Sequence, residues 1–350
     1  PVRSGGAGTT ASENIHARAD VTDFIVALDQ LQAALPVLEA VTLMIPWFGD
    51  DLRAGTCKLR PGVEMADLVT TPEPWRVSGI ARGDAHLIST HEGRSAFTAT
   101  PADVAVIEAI RELRARGLKV TLSPVIQMYV PAGNALPNPY SNNAAEIGQP
   151  AYPTAKALTC APAAGYLGTV DKMPTAAGQV SALFGARASA AFTVVGEEVA
   201  WSGPAGDWTL RRFVLHCAHL AQVAGGVDTF LLGSGLTGLT TIRSDAATYP
   251  AVAELCALAE DVRVIVGSGT AISYAADWTE YSGHRPDDGS GDVLFHLDPL
   301  WAHPDIGFVG INQFAPLSDW RDGSEHRDGL EGWPSSYDQA YLQSNIDGGE

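Results

Sequence analysis

The sequence predicts an α/β protein, a (β/α)8 TIM-barrel-like fold, on three observations. Strand-like apolar runs alternate with helical patterns along most of the chain, the order that builds a parallel sheet with helices on its faces. The runs are apolar almost throughout rather than alternating, as expected of strands covered on both sides. No internal repeat breaks the order. Residues 1–20, PVRSGGAGTTASENIHARAD, hold neither an apolar core nor a cleavage pattern, so they read as a flexible lead-in and not as a secretory signal. Ala40–Phe48 (AVTLMIPWF) is the first strand and Trp75–Arg82 a shorter one. In TPADVAVIEAIRELRARG, Thr100 is the expected N-cap, Pro101 lies in the first turn and Gly117 terminates. Val104, Ile107, Ile110, Leu113 and Leu118 recur at helical spacing and turn one face to a core. KVTLSPVIQMYV is the next strand. Residues 131–178 are rich in Pro, Ala, Asn and Gly with little periodicity. They predict a long excursion from the core, and loops of that length are functional or disordered. DWTLRRFVLHCAHLAQVAGG returns to a long helix, VDTFLLGSG to a strand and TYPAVAELCALAEDV to a helix. RVIVGSGTAISYA and IGFVGINQFAP complete the count at six strands, two short of barrel closure. Residues 21–350 are therefore expected to form one barrel domain, incomplete at its C-terminal end, with 131–178 inserted. Beginning at Pro1 and stopping at IDGGE, the sequence reads as an excised piece.

Composition narrows the function. A net charge of −18 argues against nucleic acid as a partner, because phosphate binding needs a concentrated basic face. No apolar run approaches the roughly 20 residues of a membrane span. Cys57, Cys160, Cys217 and Cys256 have no paired short spacing and do not suggest a zinc site. Cys217 and Cys256 sit in apolar helical patterns that favour buried thiols, and Cys57 and Cys160 are open to either a disulfide or two free thiols.

Candidate site residues gather at strand ends, where (β/α) barrels carry their chemistry. The first strand ends with Trp47, Asp50, Asp51 and Arg53; a later one with Asp277, Trp278 and Glu280; the last with Asn312, Gln313, Asp319 and Trp320. Across Ser273–Gly323, Tyr274, Trp278, Tyr281, Trp301 and Trp320 are interleaved with Asp277, Glu280, Asp298 and Asp319. Flat apolar rings beside hydroxyl-accepting carboxylates resemble the lip of a carbohydrate cleft; the alternative is packing tryptophans and solvated acids. Glycoside hydrolysis needs two carboxyl groups facing each other across the bond. VDTFLLGSG is the strand expected to carry one of them, yet it ends in Ser234–Gly235, and neither residue can act as the acid. That absence counts against hydrolysis. His216 and His219, three apart on the long helix, find no acid to complete a metal set and read as structural. Gly233, Gly235, Gly238 and the Gly267–Gly269 triplet lack phosphate-loop context. Ser123, Ser234 and Ser273 lack a nucleophile elbow. Asp287–Asp292 (DDGSGD) fails the EF-hand spacing. Neither a metal nor a cofactor is expected.

The phrases WFGDDLRAGTCKLRPGVE, AGGVDTFLLGSGLTGLT, SYAADWTEYSGHRPDDGSGDVLFHLDPLW and FVGINQFAPLSDWRDG resemble the glycoside-hydrolase TIM-barrel-like domain of gene transfer agents and of siphophage tail-hub proteins. The resemblance runs from about Glu13 to Glu350 and its motifs are long. It implies a viral structural protein: part of a tail hub or baseplate at the virion tail tip, assembled in the host cytoplasm, forming a homo-oligomer about the tail axis with other tail-tip subunits and facing host surface glycans in host attachment. It also implies an acid/base glutamate where this chain has Gly235, an acid where it has Asn312, and a nucleophile downstream of this sequence. The expected role is thus a degenerate glycosidase-like barrel with carbohydrate binding by Trp47, Asp50, Trp278, Glu280, Asp298, Trp301 and Asn312. The alternative is an active hydrolase of envelope polysaccharide or peptidoglycan, with Glu280 or Asp277 standing in for the missing acid.

Overall fold

The computed structural model describes the chain except for residues 5–9, 92, 144–145, 188–190, 314–316 and 349–350. Residues Pro1–Ile311 form one compact unit and Asn312–Glu350 a second. The larger unit is organised by one sheet of β1 (Ala40–Gly49), β2 (Lys119–Met128), β3 (Thr229–Ser234), β4 (Ala271–Asp277) and β5 (Gly310–Asn312), hydrogen-bonded in that order. β1, β2, β3 and β4 are parallel, with Leu43, Leu122, Phe230 and Ile272 in one register layer. Leu59–Arg60 adds a short antiparallel strand to the outer edge of β1, at Phe48 and Gly49. This is the barrel-like β/α order the sequence predicts, and the sheet of the described residues does not close on itself.

Helices α1 (Asp23–Ala34), α2 (Asp103–Ala115), α3 (Pro174–Phe184), α4 (Leu210–Val223) and α5 (Pro250–Val266) supply the outer layer. Side-chain alternation along a strand sends Leu43, Leu122, Phe230 and Ile272 to the helix side, where Leu122, Phe230 and Ile272 are fully buried. Their neighbours Thr42, Thr121, Thr229 and Ala271 form the opposite layer and are only partly covered or exposed. The core therefore lies between sheet and helices. Inside it, Arg211 pairs with Asp261 at 2.5 Å and Glu254 at 2.7 Å. Among the described residues Arg212 has no carboxylate partner within ion-pair distance; its guanidinium lies 3.7 Å from the Trp208 ring centre and 5.1 Å from that of Trp201, a cation–π arrangement. Burial pulls its pKa down to about 10.

Several expectations are corrected. Among the described residues the barrel strands number five, because Trp75–Arg82 is a separate hairpin of Arg76–Val77 and Ile80–Ala81. Ser78 and Gly79 turn it through positive φ, which ends a strand too soon to join the sheet. Arg263–Val266 belongs to α5 rather than to the next strand. Its β-branched run continues a helix already nucleated from Pro250, and Gly267 at φ +74° ends it. Thr100 does not cap α2, whose N-cap is Ala102; its hydroxyl instead donates to the Pro46 carbonyl at 2.7 Å and accepts from Gly62 N–H at 2.9 Å. Within the stretch read as a lead-in, Val2–Ser4 pairs antiparallel with Thr10–Ser12 and Thr70–Thr71. Cys57 and Cys160 are buried free thiols. Part of the run read as the last strand, residues 314–316, lies outside the described residues. In the second unit, Tyr341 gathers Trp320 and Trp333 around it and donates to Asp328 at 3.0 Å.

Candidate functional site

The C-terminal ends of β3 and β4 meet in a buried polar cluster. β4 runs into a short helix, Trp278–Tyr281, through a capping box: Asp277 accepts from Thr279 N–H at 3.1 Å, and Glu280 accepts from Asp277 N–H at 2.8 Å. A capping box turns the chain sharply and satisfies N-terminal donors reciprocally, so both carboxyl groups face inward. Asp277 is 2% exposed and Glu280 1%. Glu280 also accepts from Thr240 Oγ1 at 2.6 Å and from the Tyr274 hydroxyl at 3.0 Å, while Tyr274 itself accepts from Leu236 N–H at 2.6 Å. Thr240 lies 3.4 Å from His296 Nε2.

The second carboxylate has a cationic partner. Lys156, carried out of the long excursion by the turn Ala155–Ala157, forms an ion pair with Asp277. The excursion is pressed onto the barrel mouth there. A Cβ on Gly238 would lie 2.5 Å from the Lys156 carbonyl oxygen and 2.7 Å from that of Leu158, so only glycine permits the approach. Gly235 adopts φ +57°, and its nearest neighbour for an added Cβ is the Lys156 side chain at 3.9 Å. A β-bulge between Leu231 and Ser234 sets this strand end, a device that re-aims residues beside functional sites.

Environment separates the two acids. Burial pushes the Glu280 carboxyl above its usual range, outweighing the hydrogen bonds from Thr240, Asp277 N–H and Tyr274. Burial also opposes the Asp277 carboxylate, but Lys156 and Thr279 prevail and hold it below the usual range. The two shifts run in opposite directions, and such a separation of neighbouring carboxyl groups is what acid–base chemistry draws on.

Beside the cluster a cleft of about 180 Å³ is lined by Glu280, Tyr281, Ser282, Phe295, Leu297, Asp298 and Trp301. Glu280, Asp298 and Trp301, singled out in the sequence, thus come together. Trp278 is 55% exposed on the same short helix as Tyr281. Trp47 is a correction. It is fully buried, stacked on Phe213 with ring centres 4.8 Å apart and tilted against Trp208, because its parity along β1 matches Leu43 and Ile45 on the helix side. Tyr274 is likewise buried and cannot form a lip. Asp50 accepts from Lys58 N–H at 2.8 Å and keeps part of its surface exposed; burial raises its pKa. Asp51 is locked to Arg53, Gln149 and Thr56. Asn312 ends β5. His216 bonds Asp103 at 2.8 Å, and among the described residues no cluster of His, Cys, Asp and Glu is arranged for a metal.

The comparisons with known proteins bear on this geometry. Residues 208–350 match the GTA TIM-barrel-like domain. The matched GTA TIM-barrel-like region begins just before α4 and contains β3, β4, β5 and the cluster of Thr240, Asp277 and Glu280; Lys156 lies upstream of it. No curated protein matches the chain. Among solved structures, a GH113 β-1,4-mannanase complex shows 12% identity and a TM-score of 0.39 over 85% of this chain and 58% of that one. The GH113 β-mannanase of Alicyclobacillus acidocaldarius in complex with ManMIm shows 14% identity and a TM-score of 0.38 over 86% and 58%. The chain spans 58% of the length of each.

Sequence reasoning missed Lys156, Thr240, His296 and Phe295. A signal for the first was present: Lys156 and Lys172 are the only basic residues in 131–178, and they pair with Asp277 and Asp288 of the aromatic segment.

Proposed function

We propose that this chain is a structural part of the tail tip of a phage or gene transfer agent, carrying a glycosidase-like barrel that binds host surface glycans without cleaving them. The observation that carries the reading is Lys156 on Asp277 beside Gly235. At the strand end where the resemblance implies an acid there is only a glycine, and the adjacent carboxylate is already neutralised from within. The GTA TIM-barrel-like match supports the tail-tip setting, which in turn implies neighbouring tail subunits, a ring of copies about the tail axis and a place in the virion. The exposed rings of Trp278, Tyr281 and Phe295 support the binding role.

The deciding experiment incubates the native protein and Gly235→Glu with host envelope polysaccharide and peptidoglycan and follows new reducing ends. Neither is expected to release sugar. A glutamate at 235 would stand beside Lys156, which would hold it ionised when a general acid must carry a proton; left-handed backbone at φ +57° adds a cost of about 1 kcal/mol. Release by the native protein would sink the reading. A second reading, an active hydrolase, is favoured by the opposed pKa directions of Glu280 and Asp277. If it holds, Glu280→Gln abolishes the release.

Trp278→Ala is expected to weaken glycan binding by about five- to tenfold, roughly the worth of one aromatic stacking contact, with an unchanged melting temperature because the ring is half exposed. Unaltered binding would remove Trp278 from the site.

A further inference from the structure

We infer that the cleft at Asp298 and Trp301 selects sugars bearing a free ammonium group, an inference that rests on the glycan-binding reading above. Three features of the lining point there. Tyr281, Phe295 and Trp301 surround the space with aromatic surface, and the electron-rich face of such rings attracts cations. Asp298, exposed at the first position of its short helix, has no side-chain hydrogen bond or ion pair among the described residues, unlike Asp51, Asp171, Asp277 and Asp288, each of which has a cationic partner. Among the described residues, no lysine, arginine or histidine lines the cleft.

The lining joins Asp298 to a serine, a phenol and three aromatic rings. An ammonium group donates only, and an exposed carboxyl group with no cationic partner among the described residues, flanked by rings, is what it pairs with. The volume, about 180 Å³, is below the roughly 300–1,000 Å³ of drug-sized ligand sites, which limits the occupant to a single unit such as a 2-amino sugar. The chain's net charge of −18 raises the local concentration of cationic ligands in the same sense.

The test titrates the full chain, by tryptophan fluorescence and calorimetry at low salt, with the glucosamine disaccharide, its N,N′-diacetyl counterpart and choline. The deacetylated disaccharide is expected to bind about tenfold tighter than the acetylated one. Asp298→Asn, on an exposed residue that leaves the fold intact, should erase that preference, and raised salt should shrink it. Equal binding of both disaccharides, or preference for the acetylated one, overturns the ammonium inference and leaves the glycan reading standing. Choline binding without either sugar upholds ammonium recognition and removes the glycan. Binding of none of the three overturns the ammonium inference and leaves the glycan reading to the Trp278→Ala measurement.

Discussion

Asp171→Ala is expected to destabilise the protein by about 3–5 kcal/mol, the usual cost of leaving one member of a buried ion pair without its partner. Asp171 accepts from Arg243 N–H at 2.8 Å, from Nε at 3.2 Å and from Nη2 at 2.7 Å, with both side chains almost wholly buried. The pair fastens the end of the excursion to the loop after β3, and Lys172 next to it donates to Asp288 at 2.7 Å. Alanine would leave the buried guanidinium only its longer contact to Asp288, at 3.7 Å. Asp171→Asn, which keeps an acceptor, should cost less. Urea unfolding measures both, and limited proteolysis should find residues 131–171 cleaved faster in the alanine variant. A loss under about 1 kcal/mol would show that the excursion is held by other contacts.

The second large effect is acid sensitivity through His296. This ring is 4% exposed, packs against Tyr249 and His284, and has Thr240 Oγ1 and the Leu294 carbonyl at 3.4 Å as its polar neighbours. Burial, with His284 nearby, pulls its pKa from 6.5 to about 4. Between those values the unfolded chain binds the proton and the folded one does not, so stability rises with pH across the window and falls on acidification. A single group shifted this far accounts for about 3 kcal/mol between pH 7 and pH 4. His284, also lowered by burial, acts in the same direction. His296→Phe should therefore show a shallower loss of unfolding free energy between pH 7 and pH 4.5. An unchanged slope would assign the acid sensitivity to other groups.

The site was legible in part, and the residues explain which part. Glu280, Asp298 and Trp301 lie within one short stretch, so proximity in sequence already brings them near one another, and the structure places them in one cleft. Trp47 failed because a strand residue's side is set by parity relative to the register. Trp47 shares the parity of Leu43 and Ile45 and stacks on Phe213 of α4, whatever its place near the strand end. Arg263–Val266 failed because β-branched residues accept a helix that neighbouring packing sustains. Trp75–Arg82 failed at a turn, where Ser78 takes a conformation that its side chain does not advertise.

What the sequence by itself determined was the alternation of strand and helix, the long excursion and the acid-and-aromatic segment. Each of these is written in local composition and period, and local physics suffices to read it. Which acids are free and which are spent was decided only by the tertiary structure. Lys156 reaches Asp277, and Arg243 reaches Asp171, across stretches of chain whose spacing carries no trace of the pairing. The charge state of a carboxyl group depends on burial and on whichever cation the fold delivers to it.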